Sequence, residues 1–241
     1  TGSGSATAYS GSVNTDSGFS IITYEANGTA GHTIPHHLGV APKMVICKSI
    51  SENRGWPIQH ASLTSAAYAI FLSTTGPEAN NGADQSTNTW NSTAASSTVV
   101  TLGNNANNNK NGDDYIMYSF AEKQGYSKIG SYSGNGNDGN GPFIYTGFKP
   151  AFCLVKRTTS GENWLILDNK RDTFNPQDSS IYPNLVNAED ADGADYFDFV
   201  SNGMKVKTNN GGTNTSGASY VYLAFAESPF VTSTGIPTTA R

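Results

Sequence analysis

Charge is what this sequence has least of. Lys, Arg, Asp and Glu make up 14% of the chain, against roughly 25% in an ordinary soluble protein. The shortfall does not signal disorder. Disordered segments lean on charge and omit aromatics, whereas this chain carries 12 Tyr and 11 Phe. Basic runs are missing and the formal net charge is −5. Nucleic-acid affinity rests on Lys and Arg neutralising phosphates, so no nucleic-acid partner is expected. No apolar stretch approaches the ~20 residues of a membrane-spanning helix, so no membrane insertion is expected. The sequence shows no signal peptide and begins at Thr1 rather than Met, which fits an excerpt or a processed product.

Cysteine is nearly absent as well. Cys47 and Cys153 sit inside the apolar runs Met44–Cys47 and Phe152–Val155. Buried free thiols behaving as small hydrophobes are the expectation, with one bridge between the two halves as the alternative. Sustained 3.6-residue apolar spacing is missing throughout, so helices should be scarce. The familiar catalytic strings (a Walker loop, a nucleophile elbow, H-E-x-x-H, paired CxxC) are also missing.

What the chain does contain is a repeat. Shifted by 108, residues 23–58 fall on 131–166 without a gap, and Tyr24/Tyr132, Asn27/Asn135, Gly28/Gly136, Pro42/Pro150 and Trp56/Trp164 are among the identities. Towards the end of each copy the shift is 105, matching Tyr115/Tyr220, Phe120/Phe225 and Glu122/Glu227. The order of matches is preserved and only the middle changes length, which marks a duplication. Short strand-like runs such as KMVICK, DYIMYSFAE, FCLVKR, NWLILD and SYVYLAFAE alternate with turn-rich stretches such as EANGTAG and SGNGNDGNGP. Met44–Cys47 and Tyr115–Ala121 read as central strands covered on both faces. The expected fold is therefore all-β: two tandem homologous β-sandwich (jelly-roll or lectin-like) domains at 18–124 and 125–230, after a polar linker 1–17 and before a tail 231–241.

Candidate chemistry is sparse. Glu162, Asp168, Asp172 and Asp195 could supply the carboxylate pair of a glycosidase. Arg54 and His60 occupy the repeat positions of Glu162 and Asp168, so any such pair would serve one copy alone. His32, His36, His37 and His60 cluster early, but Gly31, Pro35 and Gly39 interrupt the segment, which reads as a solvated loop rather than a zinc site. The Asn-rich stretch 104–111 also reads as a solvated loop. Asp190, Asp192 and Asp195 around Gly193 group oxygen ligands as calcium prefers, making calcium the one candidate cofactor. Trp90 and Asn91, near the alignment position of Tyr196, combine an aromatic with amides and hydroxyls. They read equally as a sugar platform and as a core plug.

The strings GVAPKMVICK, GPFIYTGFKPAFCLVKRTTSGENWLILDNKRD, FVSNGMKVKT, SGASYVYLAFAESPF and TGIPTTAR together resemble tail-fibre-like structural proteins of tailed bacteriophages, many of them marine, with concanavalin-lectin-like domains. The resemblance covers about residues 18–241 and implies a virion location, a β-sandwich fold and attachment to the host surface. The sugar-plus-calcium loop of legume-type lectins is not recognisable here, and no binding residue is carried across. The resulting expectation is a non-enzymatic, homotrimeric receptor-binding module recognising bacterial surface polysaccharide and held by other phage virion proteins. A purely structural virion component is the alternative, and a glycan depolymerase is the third reading.

Overall fold

The computed structural model describes residues 7–80, 88–190 and 196–229. It is all-β, and the chain divides into two compact units, Thr1–Glu122 and Lys123–Arg241.

In unit 1 the strands are β1 (Tyr9–Asn14), β2 (Phe19–Glu25), β3 (His32–Pro35), β4 (Met44–Ser49), β5 (Pro57–His60), β6 (Tyr68–Phe71), β7 (Ala79–Asn80), β8 (Val99–Leu102) and β9 (Asp114–Phe120). They form a seven-stranded sheet ordered β1-β2-β9-β4-β5-β6-β7 and a two-stranded sheet β3-β8. Unit 2 contains β10 (Ser127–Ser133), β11 (Phe143–Tyr145), β12 (Pro150–Arg157), β13 (Leu165–Asp168), β14 (Phe197–Val200), β15 (Gly203–Val206), the four-residue helix α1 (Gly211–Asn214) and β16 (Ser219–Ala226). Its sheets run β10-β16-β12-β13 and β11-β15-β14.

The duplication is visible in the register. Phe19 opposes Phe120 where β2 meets β9, and their repeat equivalents Ser127 and Phe225 oppose each other where β10 meets β16. Period-2 alternation puts Ile22, Tyr24, Val45, Cys47, Tyr115 and Met117 on the core face of unit 1. Cys153, Val155, Tyr220, Tyr222 and Ala224 do the same in unit 2. Valine and cysteine trade places between copies: Val45 and Cys47 face the core where Cys153 and Val155 do. Both cysteines are free and buried, and burial pushes the Cys47 thiol up to about 12. Apolar coverage on both faces holds for β4, whereas β9 alternates between buried and half-buried positions.

The same polar lock closes both cores. Asn109 lies at 0% exposure, and its carboxamide oxygen accepts the Asn27 and Gly28 backbone amides at 3.2 and 3.3 Å. Its nitrogen donates to the Thr29 and Gly103 carbonyls. In unit 2 the buried Asn214 accepts from the Asn135 and Gly136 amides at 2.8 and 3.4 Å and donates to the Asn137 and Thr208 carbonyls. Gly28 and Gly136 turn those amides inward at φ 68 and 71, where a side chain would be strained and would crowd Asn111 or Ser216. Beside each asparagine two tyrosines stack, Tyr24 on Tyr115 and Tyr132 on Tyr220, with ring centroids 5.5 and 4.9 Å apart. Their hydroxyls reach the carbonyls of Asn108, Ala106, Thr213 and Gly211 respectively.

Three expectations are corrected here. Residues 9–14, read as linker, form β1 against β2. The histidine segment is not a solvated loop: His32 and His36 are buried, as is His60 on β5, and only His37 is exposed. Nor is 104–111 simply solvated, because Asn105, Asn108 and Asn109 are buried. Each of these polar side chains finds backbone or side-chain partners that hydropathy cannot foresee. Among the described residues no group of three or more His, Cys, Asp or Glu is placed to hold a metal.

Asn109→Ala and Asn214→Ala should each cost about 3 kcal/mol, because each strands several buried backbone groups. Urea unfolding followed by amide exchange should place each loss in its own unit. The histidines give a second outcome. His32 Nδ1 lies 3.2 Å from Asn109 Oδ1, and burial lowers the pKa of His32 and of His36 below the ordinary 6.5. The unfolded chain then binds protons that the fold resists, so unit 1 should lose stability as pH falls below about 6.5. Unit 2 contains no histidine. With the intrinsic rate at each pH divided out, the protection of β9 amides should therefore fall between pH 7 and pH 5, while β16 lacks this contribution.

Candidate functional site

Unit 2 opens a polar cleft of about 220 Å³ lined by Glu162, Asn163, Tyr182, Tyr196, Asn210 and Gly212. Four pieces of chain build it, one of them supplying Tyr196 just before β14. The turn joining β12 to β13 brings Glu162 and Asn163, and the buried Lys156 holds that turn by donating to the Glu162 and Arg157 carbonyls at 2.9 and 3.0 Å. Burial lowers the Lys156 pKa to about 8. The segment after β13 brings Tyr182 and Asn184. Asn184 accepts from the Trp164 amide at 2.9 Å and donates to Asn163 Oδ1 at 2.8 Å, fixing the Asn163 carboxamide. Asn210 caps α1, its side chain accepting from Gly212 N at 2.8 Å. A Cβ at Gly211 would lie 2.6 Å from Glu162 Oε1, so glycine there leaves room for the carboxylate.

The site carries one acid, amides and phenols. Tyr182 and Tyr196 hydroxyls stand 3.2 Å apart, and Tyr182 also donates to Asp190 Oδ2 at 3.5 Å. Glu162 lies 3.7 Å from Arg157 Nη1. Such a lining offers neutral donors and acceptors to a hydroxylated ligand. Of the candidate carboxylates among the described residues, Glu162 alone lines it: Asp168 is held by Arg171 at 2.7 Å, and Asp172 is committed to the Asp178 and Ser179 amides and the Ser179 hydroxyl.

In unit 1 the equivalent place is bridged. Arg54, Gly55, Asn105 and Asn107 hold the repeat positions of Glu162, Asn163, Asn210 and Gly212. Asn107 accepts from the Gly55 amide at 2.9 Å and donates to Asn105 Oδ1 at 2.9 Å, while Arg54 pairs with Asp113 at 3.0 Å. One carboxamide thus spans what Gly212 leaves open. Unit 1 has larger hollows elsewhere. One of about 370 Å³ is a shallow depression over Tyr9, Thr23 and Glu25. The other, about 440 Å³, is lined by several alanines and Leu63. There Gln59 spends both ends of its amide on Thr93 O and Ala95 N.

The residues singled out in the sequence fare unevenly. Trp90 is 1% exposed within the unit 1 core and presents no ring face, so it is a plug and not a platform. Asn91 stands next to it, half-buried with φ 50. Tyr196 packs in the unit 2 core, yet its hydroxyl end reaches the cleft. Asp190 touches that site through Tyr182, whereas Asp192 and Asp195 lie outside the described residues. Sequence reading missed Asn163, Tyr182 and Asn210. The signal that could have found the cleft was the exchange of Gly55 and Asn107 for Asn163 and Gly212 in the repeat alignment.

Gly212→Asn should rebuild the unit 1 bridge. A Cβ there meets only Asn210 Oδ1, at 3.2 Å, so the substitution should change stability by less than about 1 kcal/mol. A crystal structure of the variant should show the new carboxamide on the Asn163 amide and the cleft filled.

No curated protein and no solved structure matches this chain. The family described as a domain of unknown function, DUF7483, matches residues 2–229 and so takes in both units as one. With the match running over nearly the whole length, the chain belongs to the DUF7483 family.

Proposed function

We propose that this chain is a non-enzymatic receptor-binding module of a tailed-phage virion, recognising bacterial surface polysaccharide through the unit 2 cleft. The observation that carries the reading is the lining of that cleft, where Glu162, Asn163, Asn210 and two tyrosine hydroxyls converge on one opening. Hydroxyl-rich ligands are held by such fixed amides and phenols rather than by net charge. In this reading each unit is a β-sandwich whose two sheets share one core, and copies assemble as a homotrimer. Weak single contacts then gain strength from multivalency. Calcium remains the candidate ion for Asp190, Asp192 and Asp195, of which Asp190 reaches the cleft through Tyr182.

One observation favours a second reading, a structural virion component. All six residues of β1 are exposed, the strand ends its sheet, and YSGSVN carries no charge or proline. An uncharged edge of this kind is a template for pairing with another chain.

The test is binding of the full chain to purified host surface polysaccharides, with and without EDTA. Saturable binding that falls at least tenfold in Gly212→Asn is expected, and loss with EDTA would bring in the calcium ion. Absence of binding by a folded chain, or equal binding by the variant, would overturn the reading. Release of reducing ends would convert it to a depolymerase.

A further inference from the structure

The outer face of the sheet β11-β15-β14 carries two exposed aromatic rings. Phe143 and Tyr145 are 48% and 64% exposed, while Ile144 between them is buried. Being two residues apart on one strand, they stand on the same side about 6.6 Å apart. Opposite Tyr145 in the register is Gly203, and a Cβ at that position would lie 2.7 Å from the Phe143 ring. The missing side chain therefore lets the ring lie close over the neighbouring backbone.

Both cations around the pair already have partners. Lys205, opposite Phe143, donates to Asn140 Oδ1 at 3.0 Å and to the Gly141 carbonyl. Lys207 faces Asp198 at 3.5 Å. With Lys207 neutralised by Asp198 and Lys205 held on neutral oxygens, the edge offers one ammonium and a carboxamide as hydrogen-bond groups rather than a cluster of charge. Unit 1 shows what such a position accepts. The repeat equivalent of Tyr145 is His37, and Tyr9 from β1 stacks on its ring at 5.8 Å and 25°. β1 belongs to unit 1, and among the described residues no aromatic ring lies against Tyr145.

We infer that Phe143 and Tyr145 form a stacking platform for a neutral pyranose chain, separate from the cleft. Sugar rings place their C–H faces on the aromatic rings while their hydroxyls reach the Lys205 and Asn140 edge. This is the platform chemistry that the sequence offers for Trp90 on equal terms with a core plug, found here on β11 of the other unit. The inference stands apart from the cleft reading, because the two sites share no residue.

The experiment is calorimetric titration of the full chain with neutral gluco-, galacto- and manno-oligosaccharides of several units. Phe143→Ala and Tyr145→Ala should each weaken binding roughly tenfold, equivalent to about 1.4 kcal/mol. Both rings are exposed, so unfolding midpoints should stay close to wild type. Val186→Ala, at a fully exposed apolar position elsewhere in unit 2, should bind as wild type. Failure of the wild type to bind any neutral oligosaccharide would overturn the inference. So would losses confined to Gly212→Asn, which would assign the binding to the cleft. Self-association that disappears in the double variant without sugar binding would give the face to a second copy instead.

Discussion

Everything in each unit is arranged around one buried carboxamide. Asn109 and Asn214 each use both ends of the amide to join a glycine turn to the chain just after β8 or β15. A buried amide left unmade costs more than a formed one contributes, so this contact is enforced chiefly by the penalty for losing it. It also explains how loops rich in asparagine and glycine can be ordered in a chain so poor in charge. Their polar groups are satisfied inside the protein rather than by ion pairs.

With the lock fixed, the two copies are free to differ around it, and they do so by exchange. Valine and cysteine trade core positions on β4 and β12. Lys43 and Lys149, on opposite sides of equivalent prolines, reach the equivalent carboxylates Glu122 and Glu227 at 2.7 and 2.8 Å. Gly55 with Asn107 becomes Asn163 with Gly212. The first two exchanges preserve packing or pairing. The third does not: it converts a bridged surface into an open cleft, and this makes unit 2 the functional half of the proposal.

The duplication, the all-β class and most strands were legible from identities and period-2 runs. The site was not. Hydropathy reads asparagine and histidine as solvent-facing, so Asn109, His32 and His36 read as loop residues although backbone carbonyls hold Asn109 and His36 inside and the Asn109 carboxamide holds His32. A tryptophan among polar neighbours reads equally as platform and as plug, and burial decides for the plug, because Trp90 fills the core. The exposed pair Phe143 and Tyr145 lay unnoticed inside FIYTG, because aromatics in a strand are ordinarily core. The identities Asn27/Asn135 and Gly28/Gly136 at the shift of 108 and Asn109/Asn214 at the shift of 105 are the cues to the lock, and what hides it is that its asparagines sit in the most polar stretches of each copy.

The central claim is that a shared lock supports one closed and one open copy. Backbone hydrogen exchange on the full chain, with and without saturating host polysaccharide, tests it most directly. The account predicts slowed exchange at 162–164, 182–184 and 210–212, with no change at the equivalent 54–56 and 105–107. Protection at the unit 1 positions, or equal protection in both units, would contradict it.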